Sequence, residues 1–379
     1  AKNSSRTYYD DVVKLSPAHF LRIGLSEGLE KKRYWQLDPQ RELNLSGERQ
    51  YIERFGELFS DAVRCRLRST SNIGSMLSGG LDSSSVTCIA NSLIDNRKEL
   101  HTFSAIFGET GESDESRYIN GVLEKVDADS HCIDLDSQSP LADIYDIMWH
   151  IDQPFWGLNS RLDWFLWKNA HGIRVVLTGF DGDTTMSHGS GYLHQLRDQA
   201  HWITLLKEVR AKSIQLGESW KSNYWMWIKE PLFNLKWISY ILKAYRYIRG
   251  VSAEQGKLSF PSRRVLQREF TQRQELVDEA KETGKYYHRA QLNRPLMSDI
   301  LEIFNAFGSA FSMDIRHPFY DKRLVEFCLA LPEELKVVNG WTRYVLREAM
   351  EGVLPEAVQW RKDKGNLEHG LSVQLLKYE

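Results

Sequence analysis

The run Ser78-Gly79-Gly80-Leu81-Asp82-Ser83-Ser84 follows a short apolar stretch, Ile73-Gly74-Ser75-Met76-Leu77. It precedes a segment whose Val86, Ile89, Ala90 and Leu93 share one helical face. The order is therefore strand, glycine turn, helix. Such a turn aims several backbone N–H groups outward at the positive end of a helix. That makes a site for an anion, and pyrophosphate fits it best. Two glycines let the backbone close on the ligand with no Cβ in the way. The hydroxyls of Ser78, Ser83 and Ser84 add donors. Asp82 belongs beside an anion only if a divalent cation bridges them, so Mg²⁺ is implied. Gly-Gly turns capped by Ser or Asp are common in proteins that bind no nucleotide. The serines and the Asp at these spacings set this one apart. It is not a Walker loop, because the Gly-Lys-Ser/Thr ending is missing.

A chain of 379 residues suits two domains, or one large domain with an appendage. Its 42% hydrophobic content builds a core, and a formal charge of −2 exerts no general pull on nucleic acid. There is no run of 18 apolar residues, hence no membrane span is expected, and no signal peptide is visible. The four cysteines, Cys65, Cys88, Cys132 and Cys328, form no CxxC pair. They read as buried, reduced thiols of a cytoplasmic protein rather than as metal ligands. The start at Ala1 rather than Met reads as a processed or excised piece of something longer.

Residues 1–45 hold short β-like pieces such as Ala18–Ile23, too little for a domain. Residues 47–70 read as an amphipathic helix with Ile52, Phe55, Leu58, Phe59, Ala62 and Val63 on one stripe. Strand-like segments at Ile73–Leu77, Thr102–Phe107, Ser130–Leu135 and Arg174–Thr178 then alternate with helical patterns. Alternation of this kind predicts an α/β fold, a parallel sheet covered by helices, with ligands at the carboxyl ends of its strands. The Ser-Gly-Gly loop and the Thr178-Gly179 turn both lie at such ends, about a hundred residues apart. From 200 to 285 the strand signal fades, and Trp202, Trp220, Trp225, Trp227 and Trp237 sit among Lys and Arg. This segment reads as a helical lobe with aromatic core positions and snorkelling cations. A membrane-surface helix and a peptide-docking face are the alternatives. Helices are also expected around Leu324–Leu331 and Tyr344–Val353, each stopped by a following proline.

Val175-Val176-Leu177-Thr178-Gly179-Phe180-Asp181-Gly182-Asp183 is the second site signal. A buried strand enters a Gly/Asp turn that can present a carboxylate. Mg²⁺ on a triphosphate takes only one or two protein carboxylates, and Asp82 with Asp183 makes such a pair. Asp181 competes with Asp183, and an ordinary Asp-Gly turn is the plain alternative. The basic run Trp360-Arg361-Lys362-Asp363-Lys364-Gly365 offers a cation for developing negative charge, although such runs are often merely solvated.

The Ser78–Ser84 string resembles the pyrophosphate loop of ATP pyrophosphatases. With Val175–Asp183, Arg316-His317-Pro318-Phe319-Tyr320-Asp321 and the Arg343–Lys364 tail, the chain from about 45 onward resembles the synthetase domain of asparagine synthetases. That resemblance implies a five-stranded parallel sheet of the HUP-like, ATP-pyrophosphatase kind with a helical C-terminal lobe. It divides the chain into a remnant of a glutaminase-like domain (1–45), a nucleotide-binding core (46–200) and a helical lobe (201–379). It implies ATP and Mg²⁺, and amide formation through an acyl-adenylate. By position, Asp82 and Asp183 would bind the metal, and Ser78, Gly79, Gly80 and Ser83 would hold pyrophosphate. Leu77 and the Ala105 strand would contact adenine, with Thr178 and Gly179 at the second turn. Lys364 would be the essential lysine, with Lys362 as the alternative, and Glu302 would line the acceptor side. The family's Gly-Glu-Gly-x-Asp-Glu turn here has Phe180 and Thr184 in place of its two Glu. The loss points away from free ammonia and toward a larger acceptor. The ending Gly340–Tyr344 with Trp360–Lys364 is similar to lasso-peptide macrolactam synthetases, whose substrate would be a precursor peptide handled together with its leader-processing protease. Asparagine synthesis from ammonia, a β-lactam-type cyclase and an inactive nucleotide-binding scaffold are the rivals. No nucleic-acid partner is expected, and the oligomeric state stays open.

Overall fold

The computed structural model describes residues 7–25, 28–95, 98–106, 115–135, 139, 141–153, 159–170, 172–216 and 284–362. Its strands are β1 (His19–Gly24), β2 (Gly28–Arg33), β3 (Ile73–Met76), β4 (Leu100–Ile106), β5 (Asp129–Asp134), β6 (Val175–Leu177), β7 (Asp314–Arg316), β8 (Val337–Val338) and β9 (Trp341–Thr342). Its described helices are α1 (Glu48–Arg66), α2 (Leu81–Leu93), α3 (Ser116–Leu123), α4 (Ile144–Ile151), α5 (Asn159–Lys168), α6 (Gly182–Met186), α7 (Ser190–Asp198), α8 (Trp202–Leu216), α9 (Gly284–Leu292), α10 (Pro295–Ala310), α11 (Lys322–Ala330), α12 (Tyr344–Ala349) and α13 (Glu356–Gln359). The chain divides into two compact units, one of residues 1–186, 292–331 and 345–379, the other of residues 187–291 and 332–344.

The first unit is built on a five-stranded parallel sheet in the order β5-β4-β3-β6-β7, flanked by helices. Parallel neighbours need crossovers, and helices supply them, which buries both faces of the central strands β3 and β6. Successive residues of β3 therefore look to opposite sides. Ser75 bonds Thr87 of α2 at 2.8 Å. Gly74 faces Phe103, Ile173 and Val176. On that second side lies a cluster of Phe103, Trp164, Trp167, Phe304 and Phe307, supplied by β4, α5 and α10. The chain leaves β3 in one direction to build β4 and β5, and in the other to build β6 and β7. The order thus switches between β3 and β6, where open α/β sheets place their ligands.

Helix α1 buries Tyr51, Phe55, Leu58, Phe59, Ala62 and Val63. Each of the buried Phe, Leu and Val side chains contributes about 1.5–3 kcal/mol by leaving water. Phe59 meets Phe319 at 4.9 Å between ring centroids. Helix α2 is buried almost all round, serines included. Two of its interior hydroxyls are satisfied by back-bonding: Ser85 donates to Leu81 O (2.7 Å) and Thr87 to Ser83 O (2.9 Å). Strands β1 and β2 form a separate antiparallel hairpin.

In the second unit, Leu193, Leu196, Leu205 and Val209 join α7 to α8. Lys336 is fully buried there, with Glu333 at 2.5 Å and His288 at 3.2 Å. Of the Trp-rich segment, 217–283 lies outside the described residues; Trp202 begins α8 and is partly exposed.

One expectation needs correction. Only Cys88 and Cys328 are buried; Cys65 and Cys132 are exposed. Cys65 sits near the end of α1 beside Arg323 (3.8 Å), and Cys132 lies on the sheet's edge strand. Burial pushes the Cys88 thiol up to about 11. The fifth strand of the expected sheet is β7, whose three residues with one apolar side chain carry no period to read. No described helix is long and apolar enough to cross a membrane.

Phe319 has no solvent exposure and closes the α1 side of the sheet. Phe319→Ala is expected to cost about 3–5 kcal/mol in urea unfolding. A loss below about 1 kcal/mol would mean that this packing is not required.

Candidate active site

The loop after β3 closes on itself before it reaches any ligand. Gly79 has φ +68°, and a Cβ there would lie 2.7 Å from Tyr118 Cβ, so only glycine fits. Ser83 Oγ accepts from Ser78 N (3.2 Å), lies 3.0 Å from Ser78 Oγ and donates to Gly80 O (3.3 Å). Gly80 caps α2, and Ser84 N donates to Gly80 O at 3.0 Å. The first turn of α2 thus points into the loop with Asp82 on it. Leu77 is buried under the loop, its N–H bonded to Phe103 O (2.9 Å). Ala105 is partly buried, two residues further along β4. Ser84 is fully buried and its hydroxyl finds no hydrogen-bond partner among the described residues.

The second turn packs directly on the first. A Cβ on Gly179 would fall on the backbone nitrogen of Ser83, and one on Gly182 would lie 2.8 Å from Asp82 Cγ. The Asp82 carboxylate therefore rests against the residue preceding Asp183. Asp183 occupies the first turn of α6, with Oδ1 accepting from Thr184 N at 2.9 Å. Asp82 lies in the first turn of α2 against Gly182, and Asp183 follows Gly182 in the first turn of α6; carboxylate oxygens are the donors Mg²⁺ takes. The cradle that a Cβ would fill fits that group.

Beside the carboxylates the turn is aromatic. Phe180 meets Phe304 (4.8 Å), His317 (5.7 Å) and Tyr320 (6.1 Å). Asp181 has φ +58° and accepts from the Tyr320 hydroxyl at 2.7 Å. Burial raises the Asp181 carboxyl, and the Asp183 charge adds to the rise. Burial, with the Asp181 charge, likewise raises the Tyr320 phenol. Burial and the nearby Arg66 push His317 down to about 4, so it is neutral at pH 7; its Nδ1 lies 2.7 Å from Thr178 Oγ1.

The Arg316–Asp321 motif is a lock rather than a reactive group. Arg316 donates to the carbonyls of Arg66 and Arg68, each at 2.7 Å. Phe319 fills the core. Asp321 caps α11 through Arg323 N (3.0 Å) and pairs with Arg66 (2.9 Å) and Arg323 (3.0 Å). Despite desolvation, which acts the other way, those hydrogen bonds and charges lower its carboxyl to about 2.

The C-terminal run reaches the loop through Arg361. Its guanidinium pairs with Glu115 at 2.7 Å, donates to Gly79 O at 3.2 Å and lies 3.9 Å from the Tyr118 ring centroid. Arg347 donates to Gln359 O and Gln359 Nε2 returns a bond to Arg347 O (2.7 Å), which fixes the segment before it. Lys362 is exposed, and Lys364 lies outside the described residues. Glu302, on α10, is half-exposed and paired with Lys14 at 2.5 Å, as is Asp299 at 3.1 Å. Sequence reasoning gave no role to Arg361, Glu115, Tyr118 or His317. The runs containing Arg361 and His317 carried a signal; Glu115 and Tyr118 carried none.

Residues 54–378 match the family model described as asparagine synthase. The glutamine-hydrolysing asparagine synthetase 3 of Bacillus subtilis is 25% identical over 368 residues, covering 93% of this chain and 54% of that protein. Amidase chyE of Penicillium rubens is 29% identical over 203 residues, 50% of this chain and 30% of that protein. A putative glutamine-hydrolysing asparagine synthetase 2 of Methanocaldococcus jannaschii is 32% identical over 197 residues, 50% of this chain and 37% of that protein. The chain thus spans about half the length, or less, of these curated relatives.

A lowered carboxyl contributes stability above its unfolded value, about 3.9 for Asp, and loses it as pH falls toward the folded one. Thermal midpoints of the parent should therefore drop between about pH 4 and pH 2 more steeply than those of Asp321→Asn. Parallel curves would remove Asp321 from the lock. Arg361→Ala takes a nearly buried cation from Glu115 and should cost about 3–5 kcal/mol. Adding Glu115→Ala should recover part of that loss, and strict additivity would deny the coupling.

Proposed function

Because the chain belongs to the asparagine synthase family, we propose that it is an ATP-dependent ligase that adenylates a carboxylate and joins it to an amine. The observation that carries this reading is the seating of Gly179 and Gly182 against Asp82 and Ser83 at the switch point of the sheet. Asp82 and Asp183 would hold Mg²⁺, which supplies neutralisation of the phosphate charge there.

The chain's own groups then divide the work. The Ser78–Ser83 loop and the start of α2 bind the β and γ phosphates and receive charge as pyrophosphate leaves. Leu77, Ala105, Thr178 and Gly179 line the nucleoside side. Lys364, with Lys362 as its alternative, stabilises the charge at the α-phosphate. Arg361 positions that run against the loop. The substrate carboxylate attacks the α-phosphate and pyrophosphate departs; the amine attacks the acyl carbon and AMP departs. Glu302 accepts the amine proton once its Lys14 ion pair opens.

The substrate follows from the turn. Phe180, Phe304, His317 and Tyr320 form an aromatic wall where free ammonia would need a polar one. A peptide's α-amine suits that wall, and macrolactam formation in a lasso precursor peptide is the reading we favour, with a leader-processing protease as partner. Holding both ends of one peptide would supply up to about 7–11 kcal/mol of the acceleration. Two of the three relatives are asparagine synthetases, which favours a second reading, asparagine synthesis. The exposed apolar side chains of the β1–β2 hairpin, Phe20, Leu21, Ile23 and Leu29, support reading 1–45 as part of a glutaminase-like domain, followed by the core and helical lobe.

ATP–pyrophosphate exchange tests the proposal. A precursor peptide with an N-terminal amine and an internal Asp or Glu should drive exchange, and Asp82→Asn should lower it at least a hundredfold with the fold intact. Exchange with aspartate and ammonia alone selects the second reading. ATP binding with no exchange for any carboxylate leaves only a scaffold.

A further inference from the structure

At the other end of the same sheet, away from the phosphate loop, β4 and β5 bring three metal-ligating side chains together. The parallel register sets His101 opposite Asp129. His131, two residues on, lies on the same face. His101 Nδ1 and His131 Nε2 are 3.1 Å apart, and Asp129 Oδ2 is 3.3 Å from the first and 3.4 Å from the second. Three corners of a tetrahedron whose arms are 2.0–2.1 Å stand about 3.3–3.4 Å apart. The spacing of the donor atoms is thus already that of a zinc ligand set.

We propose that His101, Asp129 and His131 bind one Zn²⁺-class ion that ties the edge strand β5 to β4. Two imidazoles and one carboxylate select Zn²⁺ and its borderline neighbours over Mg²⁺ and Ca²⁺, which prefer oxygen alone. The surroundings suit it. Phe103 packs on the His131 ring at 4.9 Å between centroids and backs the site with apolar surface. Asn72 Nδ2 lies 3.1 Å from His101 Nε2, and Glu99 Oε2 lies 3.8 Å from it. When Nδ1 binds metal, the Glu99 carboxylate is the acceptor for the nitrogen that keeps its proton, and the Asn72 amide nitrogen, itself a donor, turns away from it. Ligation leaves each ring neutral: the proton between the facing nitrogens moves to the far nitrogen of its own ring, and no co-reactant is needed. His101 is mostly covered, with 14% side-chain exposure, while His131 at 39% and Asp129 at 58% leave a path for the ion and a fourth position for water.

The site is independent of the ligase reading and is tested apart from it. The full chain is titrated with CoCl₂ in excess MgCl₂, so that the Asp82–Asp183 pair is occupied. One equivalent should bind with the intense visible bands of four-coordinate cobalt, and ZnCl₂ should displace it and raise the thermal midpoint. His131→Gln and Asp129→Asn, both at exposed positions, should weaken binding at least tenfold. Asp82→Asn should leave it unchanged. Absence of those bands, or equal affinity in His131→Gln, would overturn the assignment, as would loss of the bands in Asp82→Asn.

Discussion

Everything around the candidate site depends on the contact between two backbones. The turn after β6 lies on the first turn of α2 so closely that neither Gly179 nor Gly182 could carry a side chain. Strands on either side of a switch point naturally diverge and leave a crevice. Here the floor of that crevice is closed, and the acidic side chains are held at helix starts where partial positive charge offsets part of their repulsion. The need for glycine at 179 and 182 is thus a demand of packing as much as of chemistry.

That contact needs a fixed neighbour, and the Arg316–Asp321 segment provides it. Arg316 and Asp321 together anchor the stretch through carbonyls and cations around Arg66, while Phe319 enters the core. Two side chains of the segment face the turn: His317, whose Nδ1 lies 2.7 Å from Thr178 Oγ1, and Tyr320, whose hydroxyl reaches Asp181. A segment anchored at both ends holds those two rings in place beside Phe180. The aromatic wall fits this: Phe180 and Tyr320 lie nearly parallel, 9° apart, against a neutral imidazole.

The sheet was legible where strands are long enough to show a pattern. Ile73–Leu77 and Val175–Thr178 are buried on both faces and read as apolar runs, and α1 shows its stripe over nineteen residues. Strand β7 was not legible, because Ile315 alone faces apolar surroundings and its pairing with β6 is set by the chain around it. The same holds for the site. Both glycine loops announced themselves by composition. The meeting of Arg361 with Gly79 did not, since the two stand 282 residues apart and a basic run after Trp360 has many uses. Exposure of Cys65 and Cys132 likewise followed from edge and helix-end placement, which residue type does not encode.

The grip of Arg361 on the Gly79 carbonyl reaches further than an anchor. In a trans peptide the C=O and the following N–H share one plane and point in opposite directions. Holding the oxygen of Gly79 on one side therefore orients the amide hydrogen of Gly80 toward the other. A guanidinium from the far end of the chain thereby sets the polarity of a dipole in the phosphate loop, and turning that plane over would require it to let go.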